Sequence, residues 1–196
     1  MRMKLWLVLL MGVFIVPMIA LADVNMKPNT PAEWRDYLRF RRDQTLTELY
    51  KLQPDAKWEI MKAKGYATFT SLNVNLIIAS VTGGRGIVHV NSFLGGKDIY
   101  MRMAQGGLGL GLGVKDFRAV FVFENQEVLD KFINSGWTFG GEADAAFKGG
   151  DTGAATSGAL AVAPGLKVYQ LTESGLALQA TVHGSKYWKD SYVNGD

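Results

Sequence analysis

The chain contains no cysteine. That excludes disulfides, thiol nucleophiles, zinc–thiolate sites and iron–sulfur clusters, while leaving the redox compartment open. Histidine is nearly as scarce, with two residues, His89 and His183. No HExxH or GxSxG pattern occurs, and no metal-ligand spacing is present. His89 shares a strand face with Asn91, and His183 shares one with Gln179 and Thr181, as half-exposed strand residues do. No catalytic residue, metal or cofactor is therefore expected, although a scattered carboxylate pair would leave no local signature. Glycine is absent from residues 23–64, and all of the 23 glycines except Gly12 lie beyond that stretch.

What is present begins with the three parts of a secretory leader. Arg2 and Lys4 are followed by an uncharged run from Leu5 to Val16, and Ala20-Leu21-Ala22 supplies a small-x-small site before Asp23. The pattern predicts export to the periplasm or outer envelope, with cleavage after Ala22. The alternative, a retained anchor, is opposed by Pro17 and by a run at the short limit for a spanning helix. Removing residues 1–22 from 196 leaves 174, enough for one domain with a real core. The formal charge of +3 falls by two with Arg2 and Lys4, to near +1. Overall basicity thus gives no footprint for a nucleic acid, and none is expected as a partner.

The glycine-free stretch reads as helical. Thr30-Pro31-Ala32-Glu33 has a capping threonine, proline at the first helical position and glutamate three residues after the cap. Trp34, Leu38, Thr45, Leu49 and Leu52 then fall on one apolar stripe, with Arg35, Arg39 and Arg42 on a second stripe beside it. Pro54 ends this helix. Asp55 is expected to cap a shorter one over 56–64, with Gly65 as its stop.

Beyond Gly65 a two-residue period takes over. Phe117, Ala119, Phe121 and Phe123 alternate with residues that are also mostly apolar, which predicts a central strand. Ile99, Met101 and Met103 alternate with Asp98, Tyr100 and Arg102. Further strands are expected over 86–91, 141–147, 166–172 and 176–183, while 72–81 fits strand or helix and 149–159 reads as loop. One helix interrupts them, with Asn125 as cap, Val128, Leu129, Phe132 and Ile133 as its buried face and Gly136 as its stop. Regular βα alternation is missing. The order predicts an α+β fold: an antiparallel, barrel-like sheet covered by N-terminal helices and one internal helix. Residues 23–54 form the lead-in and amphipathic helix, and 55–196 the sheet domain.

The run Gly106 to Gly113 alternates glycine with leucine after its first pair. It fails the glycine spacing of a dinucleotide loop and lacks the lysine of a phosphate loop. It reads as a strand with one bare face, for close internal packing or for a ligand or acyl chain. Gly83-Gly84-Arg85-Gly86 reads as a tight turn, with an anion-binding nest as the alternative. Gly95-Gly96-Lys97 and Gly149-Gly150-Asp151 read as hairpin turns.

Taken in order, these segments resemble the SYLF domain family, a lipid-binding module of proteins tied to actin patches and endocytic membranes. Lys62-Ala63-Lys64-Gly65-Tyr66-Ala67 is similar to the family's opening block. Gly83 to Val88, Gly107 to Val114 with Phe117 to Phe123, Val168 to Ala177 and Gly184-Ser185-Lys186 follow in the family's order. The resemblance covers about residues 55–193. It departs where the family commonly has Trp-Ser-x-Pro and this chain has Asp98 to Met103, and no SH3 or FYVE domain accompanies it. It implies the fold and lipid contact. Actin is not expected as a partner in an exported setting.

Three functions follow as expectations. The first is an exported lipid-binding module contacting phospholipid or another amphiphile, with Arg35, Arg39, Arg42, Lys186 and Lys189 on headgroups and Trp188 with Tyr187 as interfacial anchors. The second is a non-catalytic structural or protein-interaction domain of the envelope. The third is a hydrolase, which would need a pocket with convergent carboxylates or a histidine.

Overall fold

A computed structural model describes residues 27–71, 81–93, 95–106, 118–139, 155–156, 159–172, 175–177 and 185–196. The expected leader, the segment 72–80, the Gly/Leu run from 107 onward, the strand over 141–147, most of the loop over 149–159 and His183 lie outside them.

Helix α1, Pro31–Leu52, starts with the expected capping box. Thr30 Oγ1 accepts from the Glu33 amide at 3.2 Å, and the Glu33 carboxylate accepts from the amides of Asn29 and Thr30 at 2.8 and 3.4 Å. Leu38, Thr45 and Leu49 are its buried residues, while Leu52 is exposed at the end of the stripe. Helix α2, Ala56–Lys62, differs from expectation at both ends. Asp55 makes no side-chain cap, because it already has helical dihedrals and its carbonyl accepts from Trp58 and Glu59 instead. Gly65 is not the stop, since Ala63 is already extended and Gly65 opens the first strand. Glycine is needed there for close approach: a Cβ would lie 2.6 Å from the His89 carbonyl oxygen.

The strands are β1 Gly65–Ser71, β2 Val81–Val90, β3 Lys97–Gly106, β4 Arg118–Phe123, β5 Trp137–Thr138, β6 Ala155–Thr156, β7 Ala159–Ala163, β8 Leu166–Thr172, β9 Gly175–Ala177 and β10 Ser185–Lys189. Helix α3, Gln126–Ser135, follows β4, and the short α4, Ser191–Asn194, follows β10. The described strands form one curled antiparallel sheet in the order β5-β10-β3-β2-β1-β4-β8-β7-β6, with β9 also on β8. The fold is α+β with a barrel-like sheet, as the segment order predicts.

Helices lie on both faces of this sheet. On one, Ala119, Phe121 and Phe123 of β4 meet Phe132 and Leu129 of α3, together with Phe69, Met101, Met103 and Tyr187. On the other, Val120 and Val122 meet Leu49, Ala56 and Ile60. Strand β4 is buried along its whole length between β1 and β8, which is why both of its residue sets are apolar. Helix α1 runs across the strands: Leu38 packs with Ile87 of β2 and Tyr100 of β3, whereas Leu49 packs with Tyr169 and Leu171 of β8. Helix α3 matches its sequence reading, with the Asn125 side chain accepting from Val128 N at 2.9 Å, the four predicted residues buried and Gly136 at φ 72°.

The Gly83-Gly84-Arg85-Gly86 segment is neither turn nor nest. It lies inside β2, with Arg85 opposite Thr70 of β1 and Arg102 of β3. Gly84 and Gly86 let neighbours approach rather than let the chain turn: a Cβ on Gly86 would lie 2.1 Å from the Thr68 carbonyl oxygen. The turn between β2 and β3 is made by Gly95 and Gly96, both at positive φ, as expected.

Candidate functional site

The β2–β3 turn and α2 together build the surface of greatest interest. On α2, Ala56 and Ile60 lie four residues apart and face the sheet. The same helix therefore turns Trp58 and Met61 outward, 62% and 60% exposed. Asn91, at the start of the turn, donates from Nδ2 to the carbonyls of Ile60 and Ala63, both at 2.9 Å. These bonds satisfy carbonyls that the end of a helix leaves open, and they clamp the turn to α2. Phe93 of this turn is fully exposed. Met61 and Phe93 border one open groove of about 670 Å³, whose wall includes Tyr50, Tyr66, Lys62 and Lys64. No carboxylate lines that groove among the described residues, and Lys57, Lys62 and Lys64 are all exposed.

Behind the turn, Asp98 gathers α1, β2 and β3. Its carboxylate accepts from His89 Nδ1 at 2.7 Å and from Arg42 Nη1 at 3.2 Å, and Arg39 Nε lies 3.6 Å away. The His89 bond, helped by the charges of Arg42 and Arg39, holds its carboxyl below the usual carboxylate range against the opposing effect of burial. The His89 ring packs at 5.2 Å on Tyr66, whose phenol is pushed up to about 12 by burial. On the far side of His89 a second depression of about 620 Å³ opens, bordered by Arg35, Arg39, Lys97, Tyr100 and Lys189.

The residues singled out from sequence are placed as follows. Arg35 donates from Nε to the Val193 carbonyl at 2.8 Å and from Nη2 to that of Asn194 at 3.2 Å, so it docks α4 on α1. Arg42 is turned to Asp98 and Asp43. Arg39 is half exposed and pairs with Asp36 and Asp98. The stripe thus faces the β3 edge and the C-terminal segment, and only Arg39 presents much surface. Lys186 and Lys189 are exposed on β10, and Trp188 is half-buried, its ring centroid 5.9 Å from the Arg102 guanidinium carbon. Tyr187 is the correction. Strand alternation turns it to the opposite face, where its ring packs among Phe69, Phe121 and Phe132, so it reaches no interface.

Trp58, Met61 and Phe93 escaped the sequence reading. The i, i+3 spacing of Trp58 and Met61, on the side of a short helix away from Ala56 and Ile60, was the available signal. Phe93 gave none, because a single aromatic near a glycine turn points inward or outward with equal ease.

Chemically, the arrangement offers exposed apolar side chains on a groove that also carries Lys62 and Lys64, next to a basic cleft. Among the described residues no group of three or more His, Cys, Asp or Glu is placed to hold a metal ion. No helix among them is long and apolar enough to cross a membrane.

Comparison with known proteins adds two matches. Residues 104–196 match the family described as "Ysc84: Las17-binding protein actin regulator". The chain is also similar to beta cell expansion factor A of Aeromonas veronii, 34% identical over 167 residues, or 84% of this chain and 60% of that protein. It thus spans less than two thirds of that relative's length. The ordered motifs and these two matches give the same assignment: the chain belongs to the SYLF (Ysc84) domain family.

Proposed function

We propose that the protein is an exported lipid-binding module that docks on phospholipid surfaces of the cell envelope through α2 and the β2–β3 turn. One observation carries this reading: Met61 and Phe93 stand exposed on one groove with Lys62 and Lys64, and Trp58 is exposed on α2 three residues before Met61. Exposed apolar side chains of this size carry a standing cost in water, and a lipid interface removes it. The lysines add attraction to anionic headgroups, about 1 kcal/mol each near such a surface. Family membership and the leader-like N-terminal pattern support the same reading. Trp188 with Lys186 offers a second, smaller contact of the same chemistry. The module is proposed as non-catalytic. A hydrolase would draw on His89 and Asp98, but the Asp98 carboxylate is shared with Arg42 and Arg39, which oppose its use in drawing a proton from the imidazole.

Co-sedimentation of the purified protein with anionic and neutral vesicles tests the proposal. Retention on anionic vesicles at low salt that declines as salt rises is expected. Failure to bind anionic vesicles at low salt overturns it. A pull-down from envelope extract that keeps a partner after detergent would favour a protein-interaction role instead.

A further inference from the structure

The docking groove carries a reactive group that the proposed function does not use. The chain has no cysteine, so thioethers are its only sulfur. Three methionines, Met61, Met101 and Met103, lie among the described residues, and the fold treats them in opposite ways. Met101 and Met103 of β3 are 0% and 2% exposed, in the core cluster that holds Phe121, Phe132 and Tyr187. Met61 is 60% exposed. The cause lies in the register of α2: Ala56 and Ile60 take the side that faces the sheet, so the residue after Ile60 is turned to solvent.

The position of Met61 gives that exposure a consequence. It borders the open groove together with the fully exposed Phe93 and with Lys62 and Lys64. A thioether is apolar and flexible, which suits an adaptable contact surface. Its sulfoxide is polar, so the same side chain no longer gains from leaving water. An oxidant in solution reaches the Met61 side chain directly, whereas Met101 and Met103 are reached only when the core around β3 opens.

We propose that Met61 is an oxidative modification site, at which a hydroperoxide converts the thioether to the sulfoxide and thereby releases the protein from lipid surfaces. The release rests on the proposed function; the selective oxidation does not. In the step itself the sulfur lone pair attacks one peroxide oxygen, and the sulfur–oxygen bond forms as the oxygen–oxygen bond breaks. Sulfur is oxidised by two electrons and the peroxide is reduced by them. The departing hydroxide takes the proton of the transferred oxygen and leaves as water. Lys62 and Lys64 are unchanged by this chemistry, so the attraction that remains to an anionic surface is electrostatic. Methionine sulfoxide reductase reverses the step and restores the apolar side chain.

The test treats the whole purified protein with hydrogen peroxide and follows it by peptide mass mapping, thermal unfolding and co-sedimentation with phosphatidylcholine–phosphatidylglycerol vesicles. Met61 is expected to gain one oxygen well before Met101 and Met103, with little change in the thermal midpoint, since the side chain is exposed. Vesicle affinity is expected to fall about fivefold, the scale of a partly inserted apolar side chain. The residual binding should remain salt-sensitive, and reductase treatment should restore the rest. Met61→Leu retains every other methionine, so whatever its starting affinity, peroxide should leave that affinity unchanged. A peroxide-induced loss that persists in Met61→Leu overturns the assignment. Oxidation of Met61 no faster than that of Met101 and Met103 overturns the modification site, whatever the vesicles show. Selective oxidation with undiminished vesicle binding overturns the release and leaves the docking reading standing. Absence of vesicle binding before any treatment sinks the docking reading and the release together, while the mass map still decides the site.

Discussion

Arg85 of β2 donates from Nε to the Asp190 carboxylate at 2.6 Å, joining residues 105 positions apart. Asp190 is 2% exposed, and its other oxygen accepts from the Val193 amide at 3.3 Å, capping α4. The Arg85 guanidinium carbon also sits 3.9 Å from the Trp34 ring centroid. One carboxylate thereby fastens β2, α4 and, through Trp34, the start of α1. Asp190→Ala is expected to cost about 3–5 kcal/mol, because it leaves a largely buried guanidinium uncompensated. Asp190→Asn keeps one acceptor oxygen, enough for one of the two bonds, and should cost less. Urea denaturation of the two variants checks the order, and equal midpoints for Asp190→Ala and the wild type would refute the role.

The glycines of β2 give a paired prediction. Gly86→Ala places a Cβ against the Thr68 carbonyl and the Phe69 ring, at 2.1 and 2.5 Å. Backbone cannot yield there without breaking the β1–β2 ladder, so a loss of about 3 kcal/mol or more is expected. Gly83→Ala meets nothing within 4 Å and should be near neutral. Thermal unfolding of both separates close approach from a turn requirement.

Asp98 supplies an acid-side signature. Its folded pKa is depressed, first by the His89 bond and then by the guanidinium charges. Its contribution is therefore fully present above the unfolded carboxylate value of about 4 and is lost as pH falls through the lower folded value. Asp98→Asn is expected to cost about 1–3 kcal/mol at neutral pH. The gap to the wild type should narrow below about pH 4. Denaturant midpoints measured between neutral and strongly acid pH check the direction.

Tyr66 supplies the alkaline counterpart. Burial pushes its phenol up to about 12, above the usual value near 10. A raised folded pKa means that its contribution is intact below about pH 10 and is lost as pH rises through the folded value. Ultraviolet titration of phenolate in Tyr66→Phe should lack one ionisation near pH 12. A change confined to the region around pH 10 would contradict the burial argument.

The docking patch predicts loss of affinity without loss of stability. Trp58→Gln and Phe93→Ser remove exposed side chains, so thermal midpoints should move little. Each is expected to weaken binding to anionic vesicles about tenfold, since burying an aromatic side chain contributes roughly 1.5–3 kcal/mol and insertion is partial. Co-sedimentation beside unfolding curves checks both halves.

Much of the fold was legible because its signals are local. The Thr30–Glu33 capping box and the four buried residues of α3 repeat within one or two helical turns, and the doubly apolar β4 announces burial on both faces. The site was less legible. Arg35, Arg39 and Arg42 were visible as a stripe, but what a stripe faces depends on elements far along the chain. The stripe faces Asp98 and the carbonyls of Val193 and Asn194. Tyr187 stood among interface-like neighbours, and only the register of β10 against β3 and β5 turned it inward.

The sequence by itself determined the caps of α1 and α3, the central strand and the family, since each follows from periodicity, spacing or an ordered set of motifs. The tertiary structure alone decided that Gly83-Gly84-Arg85-Gly86 is strand rather than turn, because glycine permits both and only the approach of β1 and β3 selects one. It also decided which charges are spent inside the fold and which remain outside. Pairings such as Arg85 with Asp190 depend on closing long loops, and no local pattern encodes which distant carboxylate will be there when they close.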